Sequence, residues 1–206
     1  MRIVVTRPKG RSSEFNRRLR DAGHEVLAVP LTEIRDGAPF PSPEGFDGVL
    51  FTSVAAAQRA PEGAAWPRVG AVGAVTAATL WMRGIRVDVR GSGGGEDLAR
   101  AWGDPRGQKL LLPQAAQAHS ALARALRAGG ADVHAVAVYR TVPRSDLDPE
   151  ERRALEEADV ICFFAPSAVD AFLLLRIARR GRCWGVGPTT RRAILERNLD
   201  PFEEVL

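Results

Sequence analysis

A strand–helix–strand plan is first visible in residues 2–34, which read RIVVTRPKGRSSEFNRRLRDAGHEVLAVPLTEI. The short apolar run at 3–5 predicts a strand. Phe15, Leu19 and Ala22 then fall on one face of a predicted helix, because they are spaced four and three residues apart. A glycine ends this helix and a second apolar run follows it, so the segment predicts two strands joined by a helix.

The same plan returns later in the chain. Residues 109–142 again give an apolar strand, a helix stopped by glycine and a second strand, and LRAGG at 126–130 corresponds to the earlier LRDAG. A second pair of segments, 48–85 and 159–199, each gives a strand, a helix, and a Val-Gly turn that opens another helix. These two pairs predict a duplicated domain.

Short apolar strands that alternate with helices are typical of parallel sheets covered on both faces. The sequence therefore predicts an α/β protein with two similar domains of about 100 residues each. Linkers are predicted at 35–44, which is rich in proline, and at 144–149. The repeats alone leave open whether the domains are contiguous halves or interleaved.

Composition excludes several classes of protein. The chain has 206 residues, of which 45% are apolar and 26% charged, as in ordinary globular domains. No apolar run is long enough to span a membrane, and the first residues enter a strand without a signal peptide, so a cytoplasmic protein is expected. Cys162 and Cys183 form no CxxC pair, which favours reduced, structural thiols.

The net charge of +4 comes almost entirely from arginine. It indicates either a partner rich in carboxylates or phosphates, or simply an arginine-biased composition. The arginines are dispersed and no nucleic-acid motif is present, so nucleic-acid binding is not expected. His24, His119 and His134 form no cluster and no GxSxG motif is visible, so neither a metal site nor a hydrolase triad is predicted.

Two helix starts are candidate anion sites. Gly73 with Thr76, and Gly187 with Thr189 and Thr190, lie at equivalent places in the second repeat. Free backbone N–H groups at such starts suit carboxylates, although threonines there can also serve as plain N-caps. Tyr139 is the only tyrosine and ends a strand beside a linker, where its phenol can either pack or donate a proton to a ligand.

In order along the chain, several short motifs together resemble those of uroporphyrinogen-III synthases. They are VVTRP at 4–8, DAGHEV at 21–26, FTS at 51–53, AVG at 71–73, LLP at 111–113, VYRTV at 138–142 and VGPTT at 186–190. The resemblance covers almost the whole chain and implies two flavodoxin-like or Rossmann-like domains joined by a two-stranded β linker. It implies a discontinuous first domain, 1–34 plus 143–206, and a second domain, 35–142, with linker strands at its ends.

The resemblance also implies an activity. Members of the family close hydroxymethylbilane, a linear tetrapyrrole with carboxylate side chains, into uroporphyrinogen III, with loss of water and inversion of the last ring. The enzyme implied is a cofactor-independent lyase of haem biosynthesis, without metal, acting as a monomer in a cleft between the domains. Tyr139 is implied as the catalytic residue, and the substrate-binding set is Thr6, Arg7, Ser53, Gly73, Thr76, Ser167, Pro188, Thr189 and Thr190.

Departures from the family pattern leave a second function open. Gln114 stands where relatives carry an arginine, Val54 follows the serine of the FTS motif, and the chain ends at Leu206, where relatives usually continue. These differences favour, as the alternative, a catalytically impaired relative that binds tetrapyrroles or other anions. A periplasmic-type binding protein would share a two-domain cleft, but it would carry a signal peptide.

Overall fold

The computed structural model describes residues 1–7, 13–118 and 120–202. Its internal contacts divide the chain into two compact units. Unit 1 consists of Met1–Glu33 and Thr141–Leu206, and unit 2 of Ile34–Arg140. The chain therefore leaves unit 1 once and returns to it once.

Ten strands and eight helices are formed by the described residues. In chain order they are β1 (Arg2–Val5), α1 (Ser13–Asp21), β2 (Glu25–Ala28), β3 (Thr32–Asp36), β4 (Gly48–Phe51), α2 (Val54–Ala57), β5 (Arg68–Val72), α3 (Gly73–Met82), β6 (Val89–Gly91), α4 (Gly95–Trp102), β7 (Lys109–Ala115), α5 (Ala121–Ala128), β8 (Asp132–Pro143), α6 (Pro149–Glu157), β9 (Val160–Phe163), α7 (Pro166–Leu174), β10 (Arg182–Gly185) and α8 (Pro188–Glu196). None of the helices in these ranges is long and apolar enough to cross a bilayer.

Each unit contains the main part of one sheet, and the two sheets share a strand order. In unit 1 the order is β10-β9-β1-β2, with every pair parallel. In unit 2 the order is β3-β8-β7-β4-β5-β6, so that β5-β4-β7-β8 repeats the arrangement of unit 1. The α/β fold class and the duplicated plan predicted from the two repeat pairs are confirmed.

Alternate strand residues supply the cores on the two faces of each sheet. In β1, Ile3 and Val5 pack on one side and Val4 packs on the other, and all three are fully buried. In β4, Val49 and Phe51 face the cluster that includes α2 and α3, whereas Leu50 faces Trp102 of α4. Because both faces are covered, the strands are continuous apolar runs, as parallel sheets require.

Two local features of β7 and α6 bear on the fold. Pro113, the last residue of the LLP motif, lies inside β7, opposite Val136 of β8. Pairing of β7 with β4 ends at Leu111, so the proline removes no donor from that ladder. Helix α6 begins with a capping box, in which the Asp148 carboxylate accepts from the Glu151 N–H and the Glu151 side chain accepts from the Asp148 N–H.

The two cysteines are free and buried on opposite faces of the unit 1 sheet. Cys183 pairs with Ile161 and Cys162 with Trp184, so the two thiols point to different sides and belong to different core clusters. Burial raises the pKa of Cys162 to about 12 and that of Cys183 to about 11. Because the two thiols lie on opposite faces of the sheet, a disulfide between them is incompatible with this fold.

We expect both thiols to be unreactive towards Ellman's reagent in the native protein at pH 8. Relative to a thiol with a pKa of 9, the thiolate fractions fall about a thousandfold for Cys162 and about a hundredfold for Cys183. Both should react promptly in denaturant, which serves as the control. Since the folded-state pKa values are raised, the free energy of unfolding should fall as the pH rises from about 9 towards 12. A native thiol that titrates rapidly at pH 8 would contradict this assignment.

Candidate active site

A pair of hydroxyl groups marks the carboxyl end of the unit 2 sheet. The Tyr139 hydroxyl of β8 donates to Ser53 Oγ at 3.1 Å, joining residues that lie 86 positions apart. Ser53 follows β4 and is the N-cap of α2, where its Oγ also accepts from the Ala56 N–H at 3.2 Å. The Tyr139 ring is buried and Ser53 is half-buried, so the two hydroxyls meet at the margin of the core.

A shift in the β7–β8 register gives Tyr139 this position. Gln114 is opposite Ala137, but the next β7 residue, Ala115, is opposite Tyr139, so Val138 is the extra residue of a bulge. Bulges bend a strand and redirect its side chains. As a result two consecutive residues, Val138 and Tyr139, pack into the same core cluster.

Helix α3 also begins at the carboxyl end of this sheet and has no side-chain cap. Its N-cap is Val72, and its first residue, Gly73, has a φ of +73° that only glycine adopts without strain. Thr76 lies within the helix and is buried, so threonine N-capping does not occur here. The first N–H groups of a helix have no partner in the helix, and here they remain directed beyond its N-terminus.

In unit 1, α7 and α8 start in the same way. Each begins with proline, Pro166 or Pro188, and neither N-cap makes a side-chain hydrogen bond. Since proline has no N–H, the first backbone donors belong to the residues that follow, Ser167 in α7 and Thr189 in α8. Both of these residues are exposed, whereas Thr190 is 3% exposed and lies in the core.

Thr6 and Arg7 follow β1 and differ in their surroundings. Thr6 is 2% exposed, and its hydroxyl donates to the carbonyl oxygen of Cys162 at 2.9 Å. Its side chain therefore joins β1 to β9, and the predicted contact of Thr6 with substrate stays a prediction. The Arg7 guanidinium lies 4.7 Å from the ring centroid of Phe164, at the same end of the sheet.

The predicted residues are thus divided between the two sheets, near the carboxyl ends of their strands. Ser53, Gly73, Thr76 and Tyr139 belong to unit 2, and Thr6, Arg7, Ser167, Pro188, Thr189 and Thr190 belong to unit 1. In open parallel sheets, ligands bind at the carboxyl ends of the strands, where these helix starts lie. Uncapped helix starts and hydroxyl groups can hold carboxylates there without a dedicated basic side chain.

Sequence reasoning missed one cation beside the hydroxyl pair. The Arg59 guanidinium lies 5.6 Å from the Tyr139 ring centroid and forms an ion pair with Asp36 at 2.7 Å. Arg59 follows a helix of only four residues, and no sequence motif singles it out among the many arginines.

The described histidines lie away from the carboxyl ends of the strands. His134 pairs with Asp132 at the start of β8, away from the carboxyl ends, and His119 lies outside the described residues. Among the residues whose structure is described, no group of His, Cys, Asp and Glu could hold a metal ion. The groups described at the carboxyl ends of the two sheets are hydroxyls, helix N–H groups and arginines.

Comparisons with known proteins agree with the fold. The uroporphyrinogen-III synthetase of Helicobacter pylori is similar with a TM-score of 0.68 and 21% identity, over 98% of this chain and 92% of that one. A mutant uroporphyrinogen III synthase from the extremely thermophilic bacterium Thermus thermophilus is similar with a TM-score of 0.58 and 23% identity, over 100% and 94% of the two chains. At such identities the likeness establishes the two-domain fold.

A comparison with curated proteins finds no match for this chain. The sequence model of the uroporphyrinogen-III synthase HemD family, however, matches residues 13–203. That match spans nearly the whole sequence and includes Ser53, Tyr139 and the starts of α3, α7 and α8. The chain therefore belongs to the uroporphyrinogen-III synthase family.

Proposed function

We propose that this protein converts hydroxymethylbilane into uroporphyrinogen III, as a lyase that needs no cofactor. Family membership supports the reaction and a place in haem biosynthesis. The structural observation that carries the proposal is the Tyr139–Ser53 hydroxyl pair at the carboxyl end of the unit 2 sheet. A proton donor at this place suits a reaction whose first step is loss of a hydroxyl group as water.

The pair can pass a proton without a change in backbone. In the free protein the Tyr139 O–H donates to Ser53 Oγ. When substrate binds, the phenol donates its proton to the hydroxyl oxygen of the substrate, the C–O bond breaks with the electron pair going to that oxygen, water departs, and a cationic azafulvenium remains beside the phenolate. The Ser53 O–H then donates to the phenol oxygen, because a hydroxyl is both a donor and an acceptor. The negative charge that develops on the phenol is stabilised in this way.

Control of conformation is the larger task. The linear substrate can close by itself to the isomer without inversion, so the enzyme has to favour attack through the substituted carbon of the last pyrrole. Holding reacting groups in one geometry supplies much of the rate in such cases. The uncapped starts of α3, α7 and α8 support this role, because each presents backbone N–H groups to substrate carboxylates.

Neither the structure nor the comparisons add support to the alternative of an impaired, anion-binding relative. Gln114 lies in β7 beside the bulge that positions Tyr139, and the hydroxyl pair is formed with glutamine there.

We propose that the protein acts as a cytoplasmic monomer on a carboxylate-bearing tetrapyrrole, without nucleic acid. Gel filtration coupled to light scattering tests the monomer.

The decisive experiment is an isomer assay. The protein is mixed with hydroxymethylbilane generated in situ, the products are oxidised, and the type I and type III porphyrins are separated by chromatography. Predominant type III product is expected, whereas a boiled sample should give type I. Tight binding of the tetrapyrrole with only type I product would favour the impaired relative instead.

Thr189→Asp tests the helix starts as carboxylate anchors. A carboxylate at this exposed position is attracted to the positive N-terminal end of the α8 dipole and stabilises the helix. The melting temperature should therefore stay constant or rise. The same charge should repel a substrate carboxylate and raise KM about tenfold, which corresponds to about 1.4 kcal/mol. Thr189→Asn is the matched neutral control and should keep a KM near that of the wild type. An unchanged KM in both variants would remove the start of α8 from the binding site.

A further inference from the structure

The Arg59 side chain contacts both Tyr139 and helix α2, which carries Ser53. Its guanidinium lies 5.6 Å from the Tyr139 ring centroid, within the range of a cation–π contact. Its Nη1 also donates to the Ala55 carbonyl oxygen of α2 at 3.0 Å, and α2 carries Ser53 as its N-cap. One side chain therefore holds the phenol ring on one side and the short helix of Ser53 on the other.

A third contact fixes the guanidinium itself. Nε and Nη2 of Arg59 both reach Asp36 Oδ1, at 2.9 and 2.7 Å. Asp36 ends β3, and the next residue, Gly37, donates its N–H to the carbonyl oxygen of Val138, directly before Tyr139. The segment 36–37 therefore binds the guanidinium of Arg59 through Asp36 and the backbone next to Tyr139 through Gly37.

These contacts favour a specific role over a surface ion pair. The side chain of Arg59 is 23% exposed, although its partner Asp36 is 87% exposed. Arginine can pack its stem against apolar surface and stack its flat guanidinium on a ring, so removing it affects packing as well as charge. An isolated ion pair at the surface would touch neither the phenol nor α2.

We propose that Arg59 is a positioning residue, which orients Tyr139 towards Ser53 and substrate through the ring and through α2. This inference rests on the proposed function. It adds a residue that touches neither the substrate nor the reacting atoms. The Tyr139 hydroxyl has to meet a leaving group within hydrogen-bond reach, and a displacement of about 1 Å can cost about a hundredfold in rate.

Arg59→Met is the test variant, since it keeps the length of the stem and removes the guanidinium. We expect kcat to fall about tenfold, KM to change less than twofold, and the fraction of type I isomer to rise. Arg59→Lys keeps a cation at the end of the stem and should restore part of kcat. Arg100→Met is the matched control, because Arg100 makes an exposed ion pair with Asp97 in the same unit. It should leave kcat and the isomer ratio unchanged.

A double-mutant cycle separates positioning from general stability. If Arg59 acts through Tyr139, then Arg59→Met should lower kcat no further in a Tyr139→Phe background. An equal drop in both backgrounds would overturn the proposal, as would an unchanged kcat in the wild-type background. Should Arg59→Met fail to fold, Asp36→Ala removes only the anchor and is read by the same cycle, with an expected loss of about threefold.

A spectroscopic readout does not depend on activity. Tyr139 is the only tyrosine, so protein labelled with ring-¹³C tyrosine gives the signals of that ring alone. Arg59→Met should shift and broaden these signals, and Arg100→Met should leave them in place. Signals that are identical in Arg59→Met and wild type would overturn the inference while leaving the proposed function intact. A fully active Tyr139→Phe variant would instead overturn the catalytic role of the phenol.

Discussion

The Tyr139→Phe variant is expected to lose about a hundredfold in kcat, which corresponds to about 2.7 kcal/mol of transition-state stabilisation. The phenol can donate its proton to the departing hydroxyl. The electron-rich pyrrole already favours this departure, so the loss should lie at the lower end of the range for general-acid catalysis. Single-turnover kinetics with hydroxymethylbilane measure the effect directly.

Stability should change little in this variant. Phenylalanine keeps the ring in its buried place, and Ser53 Oγ keeps the N–H of Ala56 as a donor. Loss of one neutral hydrogen bond costs about 1 kcal/mol. The porphyrin product should shift towards the type I isomer, because a slower enzyme lets the substrate close by itself.

Ser53→Ala provides the comparison. It removes the acceptor of the Tyr139 hydroxyl and the N-cap of α2, so it should lower both kcat and the free energy of unfolding, the latter by about 1 kcal/mol. A Tyr139→Phe variant that forms type III product at the wild-type rate would show that Tyr139 only packs. The hydroxyl pair would then be a structural hydrogen bond.

The order of the fold was predictable because both repeats obey local rules. Apolar runs of four or five residues, helices ended by glycine and Val-Gly turns each depend on neighbouring residues, and they recur at corresponding places. Helix α6 could also have been predicted, since Asp148, Pro149 and Glu151 form the usual signal for a helix start. The polar, proline-flanked character of the segment before it favours a linker and hides that signal.

The site depends on features that no local pattern contains. The bulge at Val138 arises from pairing with β7, and an alternation of apolar residues cannot reveal which strand carries an extra residue. The contact between Tyr139 and Ser53 depends on strand order, because β7 lies between the two strands that carry them. Arg59 is found only through the ring and the helix that it touches.

Burial also separated residues that the motifs treat alike. Thr6, Thr76 and Thr190 were expected as donors to substrate, but their side chains are buried, whereas Ser167 and Thr189 are exposed. A threonine in the first turn of a helix can face either way, and the choice is made by packing against the sheet. The donors best placed to bind carboxylates are therefore the backbone N–H groups, which sequence letters do not reveal.

Gly37→Ala is expected to reduce the free energy of unfolding of unit 2 by about 3 kcal/mol, a value typical of overpacking against backbone that cannot move freely. A methyl group at this position would lie against the Ala137 carbonyl oxygen, far inside van der Waals contact, and 2.9 Å from the Tyr139 nitrogen. The close approach exists because Gly37 and Ala38 donate their N–H groups to Val138 and Ala137. Either β3 or the bulged part of β8 has to move to make room.

The same movement should also lower kcat. Displacing β8 at Val138 carries the Tyr139 backbone with it, so folded Gly37→Ala protein should also lose at least about tenfold in kcat. Gly94→Ala is the matched control, since Gly94 has an extended φ of −174° and a methyl group there meets no atom within 4 Å. It should cost less than about 1 kcal/mol and leave kcat unchanged. Urea unfolding followed by circular dichroism gives the free energies of unfolding. If these are equal for the two variants, β3 moves easily at Gly37 and does not hold Tyr139 in place.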